Sequence, residues 1–209
     1  YFETAEREGL DVHQVLEREA AKLAPGQSGL VALDWVNGNR SILVDVDLSG
    51  LILGATMATK AHEVYRALIE ATAFGTRRII ESFEASGVPI KDIVACGGLP
   101  DKNKLLMQIY ADITKREYSV AASSQAPALG SSMWAAVAAG ADKGGYDTIE
   151  DAVEKMAFLR DEHYLPDPAA SAVYDELYAE YELLHDYFGR GTNDVMKRLR
   201  AIRDRALEG

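Results

Sequence analysis

The chain has 209 residues, 48% of them hydrophobic and 26% charged, a balance that supplies a full apolar core and excludes a disordered chain. Its net charge of −11, from 33 acidic and 22 basic residues, repels phosphate backbones and anionic bilayers, so neither nucleic acid nor membrane is an expected partner. The single cysteine, Cys96, allows no internal disulfide, and no signal peptide or bilayer-length apolar run is seen, which points to a reducing cytoplasm.

Residues 1–24 read as a charged helical segment, with Asp11 as N-cap and Val12, Val15, Leu16 and Leu23 near helical spacing. Pro25 and Gly26 end it. An apolar strand follows at 30–33, then a polar loop at 34–40 turning at Asn37-Gly38, a brief strand at 42–44 and another at 51–56. A long amphipathic helix spans about 60–85, with an apolar stripe through Tyr65, Ile69, Ala73, Thr76, Ile80 and Phe83. A buried strand at 92–96 ends on Gly97 and Gly98 and leads into a helix reaching about 114, where Asp101 is the expected N-cap and Asn103 points outward. Cys96, at the end of that strand, reads as a small core residue.

A further strand is expected at 117–121 and an Ala-, Gly- and Ser-rich helix at 126–140, with Pro127 in its first turn. From Thr148 the chain reads as helical to its end, with an aromatic stripe from Tyr174 to Phe188 that packs onto the domain. The alternation of strand and helix from residue 92 onward gives an α/β fold. The organisation is a helical segment at 1–24, a lobe at 25–146 and a helical extension at 147–209 packed on the lobe.

The sequence offers three places for chemistry. The strand–glycine–helix junction at Gly97-Gly98 is either a tight turn after a core strand or a place where a flat ligand lies against backbone. Asn103 is either an exposed polar residue or one that reads the edge of a purine. In the loop Asp34-Trp-Val-Asn-Gly-Asn-Arg40, Asn37, Asn39 and Arg40 suit hydroxyls or phosphate oxygens, unless the loop is a hairpin turn with Arg40 paired to Asp45 or Asp47. The basic run Lys197–Arg205 reads as a solvated helix face. The four histidines are scattered singly, no metal motif is present, and there is no GxxxxGK[ST] phosphate loop.

Taken in order, Glu70-Ala-Thr-Ala-Phe-Gly-Thr-Arg77, Gly97-Gly-Leu-Pro-Asp-Lys-Asn103, Leu106-Met-Gln-Ile-Tyr-Ala-Asp112 and Ala128-Leu-Gly-Ser-Ser-Met-Trp134 resemble the C-terminal half of the FGGY carbohydrate kinases. Within that family, Asp34–Ser41 and Leu184–Arg198 resemble the members that act on L-ribulose rather than xylulose or glycerol. The resemblance covers nearly the whole chain. It implies an actin-like, ribonuclease-H-like lobe with a mixed sheet flanked by helices and a helical tail. It also implies ATP and Mg2+ as cofactors, a small sugar as substrate, and a second, N-terminal lobe of the same polypeptide as partner; it leaves a homo-oligomer open. By the same analogy Gly97 and Gly98 lie against adenosine, Asn103 reaches the adenine, and the loop with Asn37, Asn39 and Arg40 approaches the sugar. The family's catalytic Asp belongs to a segment upstream of Tyr1, so no residue here is assigned that role, and the chain alone is expected to be inactive.

Overall fold

The computed structural model describes residues 1–208. The N-terminal segment is two helices, α1 (Phe2–Glu8) and α2 (Val12–Ala20), separated where Gly9 adopts a left-handed C-cap and Asp11 opens the next helix. The Asp11 side chain accepts from His13 N, and Gln14 Oε1 accepts from Asp11 N, so the expected cap forms with a reciprocal partner. β1 (Val31–Leu33) and β2 (Leu51–Leu53) pair antiparallel, with Ala32 opposite Ile52. The intervening residues 42–44 form no strand; the loop closes instead through one bridge between Asn39 and Asp45.

The long helix α3 (Ala61–Ala85) runs as its periodicity predicts and buries Ile69, Ala73, Phe74 and Ile80. β3 (Ile93–Ala95) leads into α4 (Gly98–Lys102) and α5 (Lys104–Thr114), which are distinct helices divided at Asn103. β4 (Tyr118–Ala121) and α6 (Ala126–Ala139) follow. After α7 (Ile149–Met156) comes β5 (Leu159–Tyr164), in a stretch expected to be helical. The chain ends with α8 (Pro168–Gly189) and α9 (Val195–Glu208).

β4 is the centre of a mixed sheet of order β3-β4-β5, parallel to β3 and antiparallel to β5, with Ser119 opposite His163. β3 is therefore an edge strand. Val94 is half-exposed and Cys96 lies at the surface, not in the core.

Two clusters of buried side chains hold the elements together. The larger gathers Leu33, Trp35, Ile69, Phe74, Ile109, Tyr174, Tyr181 and Met196. The smaller gathers Met107, Ala111, Tyr118, Val120 and Tyr164. α5 lies between them: Ile109 and Ile113 face one way and Met107 and Ala111 the other, two i,i+4 rows on opposite faces. The aromatic stripe of α8 packs inward, with Tyr174, Tyr178, Tyr181 and His185 all buried.

Inside the larger cluster sits a buried ion pair. Arg66 Nε donates to Glu70 Oε1 at 2.8 Å, Nη1 donates to the carbonyls of Ala20 and Leu23 at 3.0 and 2.8 Å, and Nη2 donates to Tyr174 Oη at 2.8 Å. Tyr174 Oη in turn donates to Glu70 Oε1 at 3.0 Å. Removing one partner strands a charge away from water, so Arg66→Ala lowers stability by about 3–5 kcal/mol, measured by urea unfolding, whereas replacing both charges in Arg66→Met/Glu70→Leu recovers most of the loss.

Candidate functional site

The turn after β3 is set by backbone conformation. Gly97 has φ 87° and ψ −164°, a region that only glycine occupies readily. This reverses the chain so that α4 begins at once on Gly98. A Cβ placed on Gly97 meets nothing within 4 Å, and one on Gly98 meets only Lys102 Cε at 4.0 Å. The glycines therefore answer to backbone conformation and leave an open surface rather than relieving a crowded core.

Asn103 does not point outward, and Asp101 is not the cap. Asn103 is the N-cap of α5: its Oδ1 accepts from Leu106 N at 2.8 Å and its Nδ2 donates to Tyr65 Oη at 3.1 Å. The residue is buried, 8% exposed, and both ends of its carboxamide are engaged, so in this conformation it fixes the turn instead of presenting a polar edge. Asp101 pairs with Arg160 on β5 at 2.5 Å.

The loop between β1 and β2 is built on a close approach. Gly38, at φ 78°, lies so near the opposite leg that a Cβ would sit 2.6 Å from Val46 Cα. Asn39 and Asp45 exchange two backbone hydrogen bonds, at 2.9 and 2.8 Å. Asn39 Oδ1 also accepts from Ile42 N and Leu43 N at 3.2 and 3.0 Å, so its carboxamide oxygen is used within the loop. Asp45 pairs with Lys197 at 2.7 Å and Asp47 with Arg200 at 3.0 Å, so the carboxylates expected to neutralise Arg40 are taken by α9. Arg40 makes no ion pair among the described residues.

Arg40 borders two depressions. The outer one, about 530 Å³, lies between the loop and α9 and is also lined by Asn37, Ser49, Arg200 and Arg203. The inner one, about 120 Å³, is lined by Asp34, Thr76, Tyr181 and His185 and by the loop at Asn39. Burial raises the Asp34 carboxyl above the usual carboxylate range, opposed by its own backbone N–H and by His185. Burial likewise holds the His185 imidazole below its ordinary range, against the pull of Asp186, whose carboxylate lies 2.9 Å from Nδ1. Among the described residues, His185 Nε2 and Trp35 Nε1 have no hydrogen-bond partner.

The structure thus brings Asn37, Asn39 and Arg40 together on one surface and places Gly97 and Gly98 on another, with Asn103 buried beneath the glycine turn. α3 is the wall between them. Thr76 and Ile79 line both the inner depression and an apolar groove of about 450 Å³ that reaches Cys96, Leu99 and Pro100. Sequence reasoning missed His185 as a lining residue and missed Lys197 and Arg200 as partners of the loop. A signal existed for the latter pair: two carboxylates at Asp45 and Asp47 and two cations three apart on one helix face.

Residues 2–139 match the C-terminal domain of the FGGY family of carbohydrate kinases. The chain is 59% identical over 202 residues to a ribulokinase of Halalkalibacterium halodurans, covering 97% of this chain and 36% of that protein. It is 49% identical to a ribulokinase of Mycolicibacterium smegmatis, covering 97% of this chain and 35% of that protein. The chain therefore spans little more than a third of the length of these curated relatives. Among solved structures it is similar to the xylulose kinase of Rhodospirillum rubrum, with a TM-score of 0.68 and 29% identity over 83% of this chain and 33% of that one. A xylulose kinase from Lactobacillus acidophilus shares the fold at a TM-score of 0.70 and 21% identity, over 85% of this chain and 35% of that one. The fold is the actin-like one implied by the sequence.

Two outcomes follow from the site geometry. Asn103→Ala loses the cap of α5 and costs about 1 kcal/mol, while Asn103→Asp keeps the acceptor and most of the stability; thermal unfolding of the two variants separates them. The His185 imidazole is harder to protonate folded than unfolded, so the stability it confers is present above its ordinary pKa of about 6.5 and is lost as pH falls below it. The unfolding temperature falls between about pH 7.5 and 5.5, and His185→Gln flattens that slope.

Proposed function

The chain belongs to the FGGY family of carbohydrate kinases, and from that premise we propose that it is the adenosine-side lobe of an ATP-dependent kinase converting L-ribulose to L-ribulose 5-phosphate. The ribulokinase names of its relatives support the substrate. The observation that carries the nucleotide side is the Gly97-Gly98 turn: a glycine-only backbone conformation facing open space at the junction of a strand and a helix. Such a surface fits a flat ring laid against the main chain. Gly97 and Gly98 are the proposed contacts for adenosine. Asn103 is the proposed contributor from beneath, through its cap on α5 and its hydrogen bond to Tyr65, which hold the turn in place.

When bound, ATP with Mg2+ supplies the phosphoryl group and neutralises its charge. This chain's part is binding and orientation. On the sugar side, Arg40 presents an uncompensated guanidinium, Asn37 an exposed carboxamide and Asn39 its free amino group, a set of donors suited to sugar hydroxyls or to a phosphate ester. The proposed base for the attacking hydroxyl is an Asp of a further lobe of the same polypeptide. Closing that lobe on this one excludes water from the transfer. The proposed setting is the cytoplasm; among the described residues no helix is long and apolar enough to cross a membrane.

The test is ADP release by the full-length kinase with MgATP and either L-ribulose, D-ribulose, D-xylulose, glycerol or no sugar. Strong stimulation by L-ribulose is expected. Stimulation by another sugar replaces the substrate, and no stimulation by any of them overturns the kinase reading in favour of a nucleotide-binding module. In the same enzyme Gly98→Val fills the open surface, so the KM for ATP rises at least about tenfold, a loss of more than about 1.4 kcal/mol of binding, while the KM for sugar changes little.

A further inference from the structure

The loop from Asp34 to Asp47 is held in a conformation that it does not favour by itself. Val44 sits at φ 52°, in the left-handed region, and the residue is 76% exposed, so burial does not reward the conformation. For a β-branched residue this is an outlier, and such strain persists only where surrounding contacts over-determine the backbone. The neighbouring contacts identify what does so. Asp45, the next residue, closes the bridge to Asn39 with its backbone and pairs with Lys197 of α9 through its side chain. Two residues on, Arg200 Nη1 reaches Asp47 Oδ1 at 3.0 Å and donates to the Val46 carbonyl at 2.8 Å. Ser49 N donates to Met196 Sδ at 3.5 Å.

α9 is well placed to bear this load. Its first turn is fixed to the larger core cluster by buried Met196, with Val195 packed beside it. The helix is thus anchored at its start, while Lys197 in that first turn and Arg200 in the next reach the loop. The same contacts occupy the carboxylates of Asp45 and Asp47, and Arg40 makes no ion pair among the described residues.

We propose that α9 is a latch in which Lys197 and Arg200 act as positioning residues, holding the strained loop closed and keeping Arg40 free for the sugar. This rests on the reading that the loop contacts the sugar. Both act through Asp45, Val46 and Asp47.

The experiment uses the full-length kinase in wild-type, Lys197→Ala/Arg200→Ala and Arg40→Gln forms, with two readouts. The first is hydrogen exchange at the amides of Asn39 and Asp45, which needs no sugar. The second is the KM for L-ribulose and for ATP. In the double variant the two amides exchange roughly tenfold faster and the KM for L-ribulose rises severalfold with the KM for ATP unchanged. Unchanged exchange overturns the latch. Faster exchange with an unchanged sugar KM, in an enzyme whose sugar KM does respond to Arg40→Gln, overturns its role in positioning. A sugar KM indifferent to Arg40→Gln overturns the sugar reading of the loop itself, and the exchange rates still decide whether α9 holds it.

Discussion

The arrangement of this lobe depends on one buried guanidinium. Arg66 is 5% exposed and spends its donors in three directions: along α3 to Glu70, across to the carbonyls of Ala20 at the end of α2 and of Leu23 in the turn after it, and over to Tyr174 of α8. The carbonyl of Ala20 lies at the negative end of α2, where a cation is favoured. Burial alone pushes the Glu70 carboxyl upward, and Arg66 and Tyr174 oppose that shift by favouring the charged form. A buried ion pair often does no better than apolar residues of equal volume, so its distinctive contribution is direction. Planar donors satisfied at three helices admit one mutual register. That register sets the face α3 turns toward the β1–β2 loop and the face it turns toward β3, and hence where both candidate surfaces lie.

Packing around that brace explains why α3 serves two surfaces without joining them. Thr76 and Ile79 line the inner depression beside Asp34 and also the apolar groove beneath Leu99 and Pro100. A helix held at both its N-terminal part, through Arg66, and its C-terminal part, through Arg77 to Asp175 of α8 at 2.8 Å, is a rigid partition. Side chains on opposite sides of it keep fixed separations, which is what positioning two substrates against each other requires.

The sequence was legible where a single period governs the side chains. The stripe of α3, the aromatic face of α8 and the Asp11 cap follow from local spacing, and so does the strand–glycine–helix junction at Gly97. It was not legible where a distant contact decides. β5 carries Arg160, Asp161, Glu162 and His163, a polar edge strand whose only strong signal is the partner strand that covers its backbone, so composition alone makes it helix. Residues 42–44 contain Ile42 and Val44, good strand formers, yet the Asn39 carboxamide and the Asn39–Asp45 bridge turn them into a loop. Asp101 and Asn103 are both capping residue types two positions apart. Gly97 decides between them by starting α4 on Gly98, so the break falls on Asn103. The contact of Arg200 with Val46 joins residues 154 positions apart, so the charges on the two segments are visible in the sequence but their pairing is not.

Charge connects these observations. A chain with a net charge of −11 disfavours anionic ligands over most of its surface, so a site for a nucleotide or a phosphate ester requires a local reversal. Each candidate surface carries one cation that makes no ion pair among the described residues. At the loop, α9 neutralises Asp45 and Asp47 and leaves Arg40 without a carboxylate partner. At the glycine turn, Lys102 is the side chain nearest to Gly98 and makes no ion pair among the described residues. Elsewhere cations are extensively committed: Arg77 to Glu81 and Asp175, Arg78 to Glu182, Arg116 to Glu84, Arg160 to Asp101. A cation with its own counter-ion adds little field at a distance, whereas an uncompensated one beside a low-dielectric wall acts on whatever enters. The fold thus engages Asp45 and Asp47 through a helix that shares no local sequence with Arg40, so the charge state of this loop is set by a contact far along the chain.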